Sequence, residues 1–182
     1  MFSSFLRKNT LSEDKLVNIF INAILKNGEE AFEQITDYLN ETPEFAISPQ
    51  LDKTLTGKFY LVIITGNIIK LTKEIHDGSE RRMTEKIISK LSHIFQMNPN
   101  ALAKEISACR KLMGQLNYPS KNVKYGMSRA FFHLYNLYPH QTEYFKDLKQ
   151  PNPIVLKQLD QIMDCYLLDV EAYKSEYKIV QA

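Results

Sequence analysis

Apolar residues recur along this chain at the three- and four-residue intervals that put side chains on one face of an α-helix. Leu16, Val17, Ile19, Phe20, Ile21, Ala23, Ile24 and Leu25 cover almost a full helical circumference, which predicts a buried first helix. Thr10 and Glu13 have capping-box spacing ahead of it, and Gly28 follows as a stop. Phe32, Ile35 and Leu39 make one stripe in an otherwise acidic segment, an amphipathic second helix, and Pro43 and Pro49 bracket the loop after it.

Residues 59–75 admit two readings. YLVIIT and IIKLTKEI flank Gly66-Asn67 as a hairpin with a two-residue turn would. Leu61, Ile64, Ile68, Leu71 and Ile75 instead follow an unbroken 3-4-3-4 spacing. A hairpin would be the only sheet in the chain, and an isolated hairpin is marginally stable, so the pattern predicts a helix.

Met83, Ile87, Leu91 and Ile94 mark the next helix. Leu102, Ile106, Cys109, Met113 and Leu116 mark another, and Val123, Met127, Ala130, Leu134 and Leu137 a third. A short piece lies around Tyr144, Phe145 and Leu148, and Leu159, Met163, Tyr166, Val170, Tyr173 and Tyr177 predict one long C-terminal helix. Pro99, Pro119, Pro139, Pro151 and Pro153 fall between these elements, where a missing N–H does least harm. The expected fold is all-α: a compact single-domain bundle of seven or eight helices over residues 1–182, with 1–10 a flexible N-terminal segment.

A length of 182 residues with 44% hydrophobic and 24% charged content is ordinary for a globular domain and excludes collagen-like or mostly disordered chains. The most apolar run, Phe59 to Ile69, is interrupted by Thr65, Gly66 and Asn67 and is too short to span a bilayer. MFSSFLRKNTLSEDK lacks the apolar centre of a secretion signal. The two cysteines, Cys109 and Cys165, fall on expected core faces and make no disulfide framework. A cytoplasmic protein without a membrane segment is expected.

Net charge is only +2, yet its distribution is uneven. Residues 1–50 hold eight acids and four bases, whereas residues 104–129 hold six bases and the single acid Glu105. Lys104 and Lys111 share a helical face opposite the core stripe, and Lys121, Lys124 and Arg129 occupy the first turns of the next helix. A helix, the turn Asn117–Ser120 and a helix with a basic start resembles a helix-turn-helix layout. Ser120, Tyr125 and Ser128 could then reach a groove beside Lys121 and Lys124. The modest overall charge favours an acidic protein surface as the partner over nucleic acid. The negative N-terminal region of a second copy is one such surface. The expected interaction surface is Lys104, Arg110, Lys111, Lys121, Lys124, Arg129 and His133.

Chemistry is thinly represented. GxSxG, P-loop, GxGxxG, CxxC and HExxH motifs are absent, and His76, His93, His133 and His140 are scattered. No catalytic residues, metal ligands or cofactors are assigned, and a binding module is expected in place of an enzyme. Residues 74–95, EIHDGSERRMTEKIISKLSHIF, place Asp77-Gly78 between two helical segments and faintly resemble helical tellurite-resistance proteins. Arg81 and Arg82 stand where that family would suggest acids, and no residue roles are carried over.

Aromatic residues crowd positions 118–145, and Tyr118, Tyr125, Phe132, Tyr135 and Tyr138 could line a small-ligand pocket. Aromatics at helical spacing more often form core, with tyrosine hydroxyls at its edge. Asn122, Gly126, Arg129, His133 and Asn136 form a polar stripe on the same helix, expected to face solvent.

Overall fold

The segment with two readings is a helix, α3 (Gly57–Glu74), and much of the chain packs around it in this computed structural model. The structure describes residues 8–26 and 28–181. Ahead of α3 come a strand β1 (Asn9–Ser12) and helices α1 (Glu13–Leu25) and α2 (Gly28–Glu41). After it come α4 (Ser79–Ile94), α5 (Pro99–Leu116), α6 (Val123–Leu134), α7 (Glu143–Asp147), α8 (Pro153–Cys165), α9 (Val170–Glu176) and β2 (Tyr177–Val180). Among the described residues, seven helices have twelve or more residues, and the bundle is all-α apart from the two short strands.

A run of buried residues from Val62 to Ile68 explains why α3 lacks an exposed face over its middle turns. Gly66 is required there: a Cβ at that position would meet the Met127 side chain, so its absence lets α6 cross closely. Tyr135 then fastens α6 to the start of α3, its hydroxyl accepting from Phe59 N at 3.0 Å and donating to Leu55 O at 2.6 Å. Burial pushes that phenol well above its ordinary pKa. The core is one continuous cluster that includes Phe32, Phe59, Met83, Ile106, Phe131 and Leu159. Pro99 and Pro153 sit in the first turns of α5 and α8, behind the N-caps Asn98 and Asn152, as their fixed φ favours.

Several expectations need correction. The cap of α1 is Ser12, whose hydroxyl accepts from Lys15 N, whereas Thr10 belongs to β1. Of the expected flexible segment 1–10, residues 1–7 lie outside the described residues, and Asn9 and Thr10 pair in parallel with Tyr177 and Lys178. The long C-terminal helix is broken: α8 ends at Cys165, α9 begins at Val170, and Tyr177 starts β2. The break has a physical cause in Asn67, buried in α3. Its amide donates to Tyr166 O at 2.7 Å and accepts from Leu168 N at 2.8 Å, so the backbone bonds to a side chain where a helix would bond to itself. Cys165, expected in the core, is exposed, and Ile94 is 49% exposed because the core stripe of α4 ends at Leu91.

Candidate functional site

Two surface features of opposite character emerge, and α5 contributes to both. Lys104, Arg110 and Lys111 are exposed on α5, and Lys121 is exposed in the turn before α6. The structure adds Lys73, at the end of α3, whose ammonium donates to Lys121 O at 2.7 Å. Arg110 reaches the Thr72 hydroxyl, next in sequence to Lys73, at 3.5 Å, so the end of α3 is tied both to α5 and to the α5–α6 turn. Among the described residues none of Lys73, Arg110 and Lys121, nor Lys104 or Lys111, lies within ion-pair distance of a carboxylate. Sequence spacing missed Lys73 because it is far along the chain; its only signal was a place in the last turn of α3.

The remaining members of the expected surface are differently placed. Lys124 pairs with Asp164 of α8 at 3.4 Å, and both Lys124 and Arg129 lie about 5.9 Å from the centre of the Tyr125 ring. Asp160, also on α8, has a buried Oδ1 without a hydrogen-bond partner among the described residues, and burial raises its carboxyl pKa against the opposing pull of the nearby Ser128, Arg129 and Lys124. Ser128 itself is buried and donates to Lys124 O. His133 is exposed and stands edge-on to Tyr138. In the polar stripe, Gly126 is buried against Met113 of α5 and Asn117 just after it and does not face solvent. The helix-turn-helix layout therefore has α8 and its acids alongside the helix that would read a groove.

The aromatic residues expected to line a pocket do not surround one space. Phe132 and Tyr135 are core, Tyr138 packs against Phe132 with ring centroids 5.0 Å apart, and Tyr118 is 86% exposed. Tyr125 lies on the surface under Lys124 and Arg129.

An apolar trough lies elsewhere, where the ends of α2, α3, α4 and α5 meet. One recess of about 570 Å³ has Tyr60, Leu61 and Ile64 of α3, Met97 and Leu102 on its walls. A second of about 550 Å³ adjoins it between Leu25, Gly28 and Ile94, and the two share Glu29, Tyr60 and Phe95. Gly28 makes the join: a Cβ there would collide with the Tyr60 ring. Burial, and secondarily the Glu29 charge, raise the Tyr60 phenol pKa. Sequence reading missed this feature because its residues come from the ends of several elements, and because helical period alone placed Ile94 on the core stripe with Met83, Ile87 and Leu91.

No helix among the described residues is long and apolar enough to cross a membrane, and no group of three or more His, Cys, Asp or Glu among them could hold a metal ion. The two surfaces offer charge on one and apolar area on the other. No family model matches the chain, the tellurite-resistance pattern over residues 74–95 included, and no curated protein or solved structure matches it.

Proposed function

We propose that this protein is a non-enzymatic interaction module that binds an acidic protein surface through Lys73, Lys104, Arg110, Lys111 and Lys121. The observation that supports this reading most is that the end of α3 is tied to the α5–α6 turn by Lys73 and to α5 by Arg110, and neither cation, nor Lys121, has a carboxylate in ion-pair range among the described residues. Some cations elsewhere are neutralised within the chain: Lys53 bonds Glu33 and Asp37, Lys90 bonds Asp14, and Arg82 bonds Glu13. Like charges held together destabilise a fold through mutual repulsion, and an anionic partner relieves it while steering encounter.

An acidic protein is favoured over nucleic acid by α8. Asp160 and Asp164 stand beside Lys124 and Ser128, where a phosphate backbone would have to run, and would repel it. A second copy is a weaker match, since half of the eight acids of residues 1–50, Glu13, Asp14, Glu33 and Asp37, are already paired within the chain.

Fluorescence anisotropy with a labelled oligoglutamate peptide tests the proposal, with duplex DNA as the competitor. Oligoglutamate should bind the parent protein saturably, and Lys111→Glu with Lys121→Glu should weaken it by about tenfold or more. Unchanged affinity in that variant contradicts the proposal. Tighter binding of duplex DNA that collapses with salt would replace it with the nucleic-acid reading.

A further inference from the structure

We propose that the trough formed by the ends of α2, α3, α4 and α5 docks a partner's amphipathic helix that is apolar on one face and carries lysine or arginine at its edges. This occupant has the opposite charge from the one assigned to the basic face, so the two proposals stand separately. Three observations support it.

The trough exposes apolar surface that the fold leaves uncovered among the described residues. Ile94 is 49% exposed and Met97 40%, and they flank Phe95, which packs on Tyr60 with ring centroids 5.8 Å apart. Adjacent exposed apolar side chains mark interaction surfaces more than isolated ones do. Methionine beside aromatic rings suits a surface that must mould to an incoming side chain.

The shape fits side chains spaced along a helix. Two recesses of about 570 and 550 Å³ share Tyr60 and Phe95 as the wall between them. A helix presents residues three or four apart on one face, and two large apolar side chains of that spacing can fill adjoining recesses together. A single small apolar ligand would fill one recess and leave the other wet.

The charge at the rim selects the sign of the partner. Glu29 and Glu105 border the first recess and Glu29 and Glu30 the second, and among the described residues none of the three is in an ion pair. Lys58 borders the first recess too, but its ammonium is turned to Leu134 O at 2.8 Å and lies over the Tyr135 ring. The mouth is therefore acidic over an apolar floor, which attracts a cationic amphipathic helix and repels an anionic lipid surface.

The test uses the full chain and labelled amphipathic helices built from leucine and lysine, or from leucine and glutamate, read by fluorescence anisotropy. The leucine–lysine helix should bind saturably and the leucine–glutamate helix should not. Met97→Asp changes an exposed position and should lower affinity about tenfold. Glu29→Lys with Glu105→Lys should reverse the preference between the two helices. Lys111→Glu with Lys121→Glu, on the other face, should not weaken binding of the leucine–lysine helix. Equal binding of both helices, binding of neither, or unchanged affinity in Met97→Asp would overturn the proposal. So would a dimer of the protein alone that Met97→Asp dissolves, which would assign the trough to a second copy.

Discussion

Asn67 makes three hydrogen bonds with one buried side chain, to Ile63 O, Tyr166 O and Leu168 N, and so decides where the helix of α8 stops. Asn67→Ala removes those bonds, leaves a carbonyl and an amide of the 166–168 segment short of partners, and opens a cavity. It should cost about 2–4 kcal/mol, measured by urea denaturation. The loss should be accompanied by faster amide exchange in α9 and β2, which the clasp holds to the bundle. Asp160 presents the reverse case, a residue whose removal should help. Burial raises its carboxyl pKa in the folded state, so the fold holds that proton more tightly than the unfolded chain does. Its contribution is favourable at acid pH and is lost as pH rises through the folded pKa. Asp160→Asn should therefore be more stable than the parent near about pH 7, with the advantage shrinking toward about pH 4. Equal stability at neutral pH would show that Lys124, Arg129 and Ser128 offset the burial.

Between elements, α1 and α4 are joined by Lys90 with Asp14 and by the carboxylate of Glu13, only 1% exposed, held by Arg82 through its Nε and Nη2. Lys86 is the other cation in reach, at 3.8 Å. Arg82→Ala should lower stability because it leaves the buried Glu13 carboxylate with only the more distant Lys86, and urea denaturation should show a reduced midpoint. Glu13→Gln with Arg82→Ala should recover part of that loss in a double-mutant cycle measured by denaturant. Elements of this kind differ in how visible they were in the sequence. Phe32, Ile35 and Leu39 were sufficient for α2 because the helical period is a local property, whereas the 3-4-3-4 spacing of Leu61 to Ile75 pointed to α3 only together with the marginal stability of a lone hairpin. The break at 166–169 was not legible, since it depends on a side chain about a hundred residues earlier. Strand β2 was hidden for the same reason: YKIV has strand-forming residues, but its partner Asn9–Ser12 lies at the other end of the chain. Ile94 looked like core because period alone cannot say where a stripe runs out of neighbours.

At the scale of the molecule, α5 divides a cationic side from an acid-rimmed apolar one. The cations of Lys104, Arg110 and Lys111 were readable as a charge imbalance, whereas Lys73 and the trough residues Tyr60, Phe95 and Met97 become neighbours only through folding. The aromatic segment 118–145 shows the converse: its density was legible, and packing spends most of it on the core around Phe131 and Phe132. We propose these two surfaces as distinct binding sites on one helical bundle. The most direct measurement is the backbone-amide NMR spectrum of the protein titrated with oligoglutamate and, separately, with the leucine–lysine helix. Oligoglutamate should shift amides around Lys73, Arg110, Lys111 and Lys121, and the helix should shift those around Tyr60, Phe95, Met97 and Glu105. Two saturable and non-overlapping sets are the predicted result. A single shared set, or small shifts spread over the whole surface without saturation, would contradict it.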